Sequence, residues 1–139
     1  MDRVEDCISF LIGKAGQQIA RRARNRLSEH GVTPAQYAVL KVMWQAEGQS
    51  GAEISARLVI DSATMTGLID RLQASGFLER RADGDDRRVQ RLFLTKQGKA
   101  LHAPLDAAMD ELNEEVRSEL GSNATRFWTG LRKLGDNKG

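Results

Sequence analysis

The stretch from Ser50 to Thr95 constrains the fold most tightly, because it reads as two short helices, an arginine-rich hairpin and a fresh helix start, in that order. Ser50-Gly51-Ala52-Glu53 has the form of a capping box, with Ser50 accepting from the Glu53 amide and the Glu53 side chain reaching back. The helix it opens is expected to run to Leu58, with a corner over Leu58-Val59-Ile60-Asp61-Ser62. Beyond the corner Met65, Leu68, Ile69 and Leu72 recur at helical spacing, which buries one face and turns Ser62, Ala63, Thr66, Gly67, Asp70 and Arg71 outward. A helix that only had to be solvated would carry long Lys and Glu side chains there. This face is small and polar, as suits a helix lying in the major groove of DNA.

Phe77-Leu78-Glu79-Arg80-Arg81 and Val89-Gln90-Arg91-Leu92-Phe93-Leu94 are strand-like runs, joined by the turn-rich tip Ala82-Asp83-Gly84-Asp85-Asp86-Arg87-Arg88. A tip projecting two adjacent arginines beside a polar helix suits a wing entering a narrow minor groove, which attracts guanidinium groups. The charge run by itself equally fits a solvated turn, with Asp83, Asp85 and Asp86 pairing the arginines. The preceding helix favours the wing, and the whole order is the plan of a winged helix-turn-helix.

Composition is compatible with one ordinary folded domain, at 139 residues with 40% hydrophobic and 29% charged. A net charge of +2 disfavours a non-specific nucleoid protein. The distribution of charge says more: Arg21, Arg22, Arg24 and Arg26 cluster early and Asp106, Asp110, Glu111, Glu114, Glu115 and Glu119 cluster late, predicting an electrically polarised molecule. No Ser-His-Asp or Cys-His set, phosphate loop or metal-ligand cluster is visible, so neither an enzyme nor a cofactor is expected. Cys7 is the sole cysteine and His30 and His102 are far apart, which gives no disulfide framework and no basis for a structural metal. The start Asp2-Arg3-Val4-Glu5-Asp6 does not read as a targeting segment, and no apolar run approaches the roughly 18 residues of a membrane span, so a cytoplasmic location is expected.

Long helices flank the central unit. Ile8, Leu11, Ile12, Ala15, Ile19, Ala23 and Leu27 continue a stripe from Val4, predicting a helix of about thirty residues closed at His30-Gly31 by a glycine cap. Thr33-Pro34-Ala35-Gln36 combines an N-cap threonine, proline at the first helical position and a glutamine able to close the box. Tyr37, Leu40, Val42, Met43 and Trp44 follow on that helix. Thr95 restarts helix after the wing, and a stripe from Leu101 through Leu105, Ala108, Met109, Leu112, Val116 and Leu120 runs to Gly121, with Pro104 predicting a kink. Ser122 or Asn123 caps a last helix carrying Phe127, Trp128, Leu131 and Leu134, its aromatics expected in a packed site, and Gly135 to Gly139 reads as a frayed end.

The expected fold is therefore mainly α with a small β-wing: a dimerisation helix over 1–31, a winged lobe over 32–98 and dimerisation helices over 99–139, single-domain overall. The terminal stripes need a partner, and a two-fold dimer would present its reading helices to successive major grooves about 34 Å apart, on an inverted repeat. The alternative is a monomeric bundle that buries both stripes internally.

Three runs together resemble the MarR family of bacterial transcriptional regulators. They are Thr33-Pro34-Ala35-Gln36-Tyr37, Leu58 to Leu72, and Gly76 through Asp86-Arg87-Arg88 to Leu94-Thr95-Lys96-Gln97-Gly98. The wing signature falls on Asp86, Arg88, Leu94, Thr95 and Gly98. The resemblance implies a homodimer with winged lobes, a terminal-helix interface, and repression relieved by a small effector, aromatic or acyl, or by oxidation. It implies Arg88 as the minor-groove arginine and Asp86 as its brace. The candidate DNA contacts are Ser62, Ala63, Thr64, Thr66 and Arg71 on the helix and Asp86, Arg87 and Arg88 on the wing.

The family's usual effector pocket lies between the dimer-forming helices and the DNA lobe, which makes Phe10, Lys14, Tyr37 and Trp44 candidates, although helix-face aromatics are more often core. His102 is expected to be an ordinary surface residue. Peroxide-sensing relatives imply a reactive cysteine near the start of the first helix. Cys7 lies about two residues further from Thr33-Pro34 than that pattern requires; Asp2, Glu5 and Asp6 oppose a thiolate there, while a helix N-terminus favours one. A winged-helix protein adaptor is the rival class, and it would expose apolar anchors where this chain has Ser62, Thr66 and Arg71.

Overall fold

The computed structural model describes residues 1–136. Helix α1 (Ile8–Leu27) is entered through a 3-10 turn at Val4–Asp6 and left through another at Ser28–His30, where Gly31 caps it in the left-handed region at φ 68°. The regular helix is thus shorter than the stripe suggests. Cys7 is extended, at φ −79° and ψ 122°, and separates the first turn from α1. Thr33 and Gln36 form the full reciprocal capping box of α2 (Pro34–Gln45), which drives Val39, Leu40, Val42 and Met43 into the core.

Strand β1 (Gln49–Ser50) leads directly into α3 (Gly51–Leu58). Ser50 accepts from the Glu53 amide at 3.2 Å, but Glu53 does not reach back; its carboxylate lies 3.5 Å from Arg91, a cation competing with the cap. The corner turns through Val59 at φ 55°, and Asp61 caps α4 (Ser62–Ala74). Met65, Leu68, Ile69 and Leu72 are buried on α4, as their spacing predicts.

The sheet has the order β1-β3-β2, with β2 (Leu78–Ala82) and β3 (Gln90–Leu94) pairing antiparallel from Leu78 opposite Leu94 to Ala82 opposite Gln90. The hairpin was legible; β1 was not, because two residues carry no alternation to read. One core joins α2, α3, α4 and the sheet, built on Leu40, Met43, Ile54, Leu72, Leu78 and Leu92, and receives Leu27 from α1 and Leu105 from the helix beyond the wing.

Thr95 caps α5 (Lys96–Ala100), accepting from the Gly98 amide at 3.1 Å. The chain breaks at Leu101 and continues as α6 (His102–Leu120). Pro104 accounts for the break: it has no N–H for the carbonyl of Ala100, while Leu101 stays in the right-handed region, so helix resumes at once. Helix α7 (Ala124–Asp136) follows a 3-10 turn at Gly121–Asn123, which takes the place of a single capping side chain. Gly135 and Asp136, expected in a frayed end, continue α7, and the rest of that expectation, 137–139, lies outside the described residues.

Two features of the terminal helices emerge only from the folded chain. Within one chain Phe127, Leu131 and Leu134 are exposed, and Trp128 is half-buried, covered by the Arg117 guanidinium 4.3 Å from its ring centre. Within one chain the aromatic pair has no packed site, and a packed site for it would have to come from a partner. The early and late charge clusters meet in part where α1 packs on α6: Arg22 bonds Glu115 at 3.0 Å and Glu119 at 2.9 Å, and Arg26 bonds Glu111 at 2.7 Å and also pairs with Glu115. Arg22 and Arg26 are thereby paired with three of the acidic residues, while Arg21, Arg24, Asp110 and Glu114 make no ion pair among the described residues.

Val59 is 91% exposed, so its side chain gains nothing that offsets a left-handed backbone. A β-branched residue there costs about 1–2 kcal/mol, whereas asparagine tolerates that conformation. Val59→Asn is therefore expected to stabilise the chain by about 1 kcal/mol and raise the thermal midpoint by a few degrees. An unchanged or lower midpoint would show that Val59 contributes a contact this account lacks.

Candidate nucleic-acid interface

The outer face of α4 is set by its cap. Asp61 accepts from the Thr64 amide at 2.8 Å and from the Thr64 hydroxyl at 2.9 Å, and these bonds, the amide first, hold its carboxyl below the usual carboxylate range. The cap is therefore ionised at neutral pH and fixes the first turn. Ser62, Ala63, Thr64, Thr66 and Arg71 are all exposed. Arg71 folds back along the helix, its guanidinium lying against the space beside Gly67. Thr66 bonds the Ser62 carbonyl at 2.9 Å.

Arg80, on β2, joins the wing to this helix. It bonds Asp70 at 2.5 Å and pairs with Gln73, both on α4. The sequence places Asp70 outward and Arg80 in a strand, and nothing local announces a bond from a strand to the helix before it. The wing tip is braced by a relay of carboxylates. Arg91 bonds Asp83 at 3.1 Å and the Gly48 carbonyl at 3.0 Å; Asp83 accepts from the Asp86 amide at 3.2 Å; and Asp86 takes Arg88 through two side-chain bonds of 3.1 and 3.2 Å. Arg91 holds Asp83, and Arg88 holds Asp86, below the usual carboxylate range.

Arg88 nevertheless remains 90% exposed in its side chain, and Arg87 is exposed beside it. Between α4 and the wing lies a groove of about 530 Å³ whose walls include Ser50, Thr66, Arg80, Arg87 and Arg88. Hydroxyls and guanidinium groups thus share one open surface. That surface can take a polyanion on its arginines while the slim helix approaches base edges.

The effector candidates divide into two groups. On α1, the Lys14 ammonium sits 6.0 Å from the Phe10 ring centre, on an exposed face. Tyr37 and Trp44 meet edge to face at 6.0 Å, within a second cluster the sequence did not assemble. There Asp106 receives the Tyr37 hydroxyl at 2.8 Å and Lys41 at 2.6 Å, with His102 at 3.1 Å. His102, expected to be an ordinary surface residue, stacks on Trp44 at 4.6 Å, because Trp44 is fixed by an indole N–H bond of 3.0 Å to the Gly98 carbonyl. Burial and then Asp106 push the Tyr37 hydroxyl well above its ordinary value. Asp106 lies below the carboxylate range: burial raises it, but the bonds from Lys41 and Tyr37 outweigh that. Only the i,i+4 spacing of His102 and Asp106 was a local signal.

A depression of about 710 Å³ runs along α6, lined by Asp110, Glu111, Glu114, Glu115 and Glu119, a surface unsuited to an anion. Among the described residues, no group of three or more His, Cys, Asp or Glu is placed to hold a metal ion. No described helix is long and apolar enough to cross a membrane.

The sequence model of the MarR family matches residues 32–89. The chain is 40% identical over 99 residues to the HTH-type transcriptional regulator TtmR of Methylorubrum extorquens (strain PA1), an alignment covering 71% of this chain and 51% of that protein. The chain thus matches about half the length of that relative. A probable transcriptional regulator from Pseudomonas aeruginosa has the same fold at a TM-score of 0.86 and 29% identity, over 95% of this chain and 98% of its own. BpsR of Bordetella bronchiseptica, whose DNA binding is regulated by 6-hydroxynicotinic acid, matches in fold at a TM-score of 0.91 and 24% identity, over 99% of each chain. The family match runs from the start of α2 through the α4 face to the wing arginines, and the fold agrees nearly end to end: the chain belongs to the MarR family.

Proposed function

We propose that the protein is a sequence-specific DNA-binding transcriptional regulator, acting in the cytoplasm as a repressor that a small effector releases. One observation carries the reading: Thr66, on the exposed small polar face of α4, and the braced, exposed Arg88 line the same groove. Ser62, Ala63, Thr64, Thr66 and Arg71 would meet the major groove, and Arg87 and Arg88 the minor groove, with Asp86 aiming Arg88. An adaptor would need apolar anchors on this face, and it carries none of the exposed large hydrophobic residues.

The working unit is a homodimer on an inverted repeat. Val4, Ile8, Leu11 and Ile12 near the start, with Phe127, Leu131 and Leu134 near the end, are large apolar residues left exposed by one chain, and a second copy is the economical cover. The division into dimerisation segments over 1–31 and 99–139 and a reading lobe over 32–98 follows. The effector site is assigned to Tyr37 and Trp44, where α2 meets α6; Phe10 and Lys14 form a separate, exposed pair on α1 and do not join it within one chain. TtmR and the Pseudomonas regulator support the regulatory role, and BpsR supports an aromatic acid as the effector class.

Arg88→Ala is expected to cost roughly 1–3 kcal/mol of operator binding per lobe and to reduce the salt dependence, with the thermal midpoint unchanged. Asp86→Ala should cost less and add little in the Arg88→Ala background, since it acts through Arg88. Unchanged affinity in both variants, titrated at fixed salt, would overturn the wing assignment. In sedimentation the wild type should be a dimer at micromolar concentration, and Leu131→Asp should shift it towards monomer with unchanged helical circular dichroism. A monomeric wild type would overturn the dimer.

A further inference from the structure

Thr64 and Thr66 share a feature that the face of α4 does not otherwise show. Each hydroxyl proton is already committed inside the protein, that of Thr64 to Asp61 at 2.9 Å and that of Thr66 to the Ser62 carbonyl at 2.9 Å, although both residues are exposed. A hydroxyl turned back to its own helix leaves outward a γ-methyl and the lone pairs of the oxygen. In the major groove guanine presents acceptors only, N7 and O6, and must be met by a donor. Thymine presents a methyl group, and adenine and cytosine present amino hydrogens.

We propose, on the basis of the DNA-reading function above, that Thr66 reads the operator through its γ-methyl against a thymine methyl, and that its locked hydroxyl excludes guanine at that step. Thr66 is the sharper case of the two because it also lines the groove that holds Arg87 and Arg88, so its register on the duplex is set by the wing. Thr64 lies on the other flank of the helix, two residues earlier, and presents the same chemistry beside Arg71. The arginines supply affinity without sequence; the threonines supply a preference for methyl-bearing and amino-bearing edges. Reading guanine would require Thr66 to give up its bond to Ser62, which is why the exclusion belongs to the folded helix and not to threonine as such.

The test starts from duplexes that the full-length wild type enriches from a random pool. Replacing each thymine of the enriched site by deoxyuridine removes only the methyl group, and one position in each half-site should lose about tenfold in affinity. Thr66→Ser, which keeps the hydroxyl and lacks the methyl, should lose about as much on the thymine site and nothing further on the deoxyuridine site. Thr66→Val, which keeps methyl groups and lacks the hydroxyl, should bind the thymine site better than Thr66→Ser and should admit guanine no better than the wild type. Thermal melts of both variants control for folding. A scan with no sensitive thymine, additive losses, or Thr66→Val binding worse than Thr66→Ser would overturn the inference while leaving sequence-specific binding in place. A pool that enriches no sequence would overturn the DNA-reading function and this inference with it.

Discussion

The contact on which the arrangement depends is the approach of α5 to the chain between α4 and β2. A Cβ at Gly98 would fall well inside contact distance of the Phe77 carbonyl oxygen, so no other residue lets the two backbones meet as they do. Around that contact Thr95 does three jobs: its amide bonds the Phe77 carbonyl at 3.1 Å, its hydroxyl bonds the Gly76 carbonyl at 2.5 Å, and it caps α5 through the Gly98 amide. Gly76 itself turns at φ 81°. The end of the reading helix, the exit of the wing and the start of the long helix are thereby fixed at one point. The Leu94-Thr95 and Gly98 elements of the wing signature are the parts that close this junction; the Asp86 and Arg88 elements are the parts exposed at its far end.

Charge plays a different part on each side of the molecule. Between α1 and α6 the Arg22 and Arg26 guanidinium groups are shared among Glu111, Glu115 and Glu119. Exposed pairs of this kind contribute little each, roughly 0–1 kcal/mol, but forked guanidinium groups shared by carboxylates one helical turn apart specify how the two helices line up. Around α4 and the wing, Arg57, Arg71 and Arg87 stand exposed with no ion pair among the described residues, beside Arg88, which is paired with Asp86 yet 90% exposed. A mild net charge therefore says little about the field that a polyanion would meet.

What could be read from the sequence was what is local. The Thr33 box, the Met65-Leu68-Ile69-Leu72 stripe, the hairpin and the Thr95 restart are each written within a few residues, and each forms as its pattern predicts. What could not be read was relational. Glu53 abandons half of its cap for Arg91, Arg80 crosses from β2 to Asp70, and Asp106 draws in Tyr37 from 69 residues away and Lys41 from 65. The early and late charge clusters were visible as composition, but their partial pairing was not, since only the folding of α6 against α1 makes them neighbours. The terminal aromatics illustrate the same limit: periodicity says that a helix has an apolar face and cannot say whether the chain covers it or leaves it open.

The Asp106 cluster ties the helix beyond the wing to the lobe that carries α4. Asp106 is on α6, while three of its surroundings, Tyr37, Lys41 and Trp44, are on α2, so the carboxylate is the polar link between the lobe and the long helix. Trp44 continues the connection, because its indole N–H holds the Gly98 carbonyl, and Gly98 lies against Phe77 at the foot of the reading helix. A ligand can shift a conformational equilibrium only by its differential affinity for the two states. A ligand that takes the Tyr37 hydroxyl or Lys41 from Asp106 changes the partner of a half-buried carboxylate, and one that displaces His102 from Trp44 loosens the ring that steadies Gly98. Either change acts on the junction that fixes α4 and the wing together, and a displacement there alters the angle between the Thr66 face and Arg88. Under the proposed function, two contacts entering neighbouring grooves would tolerate little change in that angle, so release would require no unfolding of the lobe.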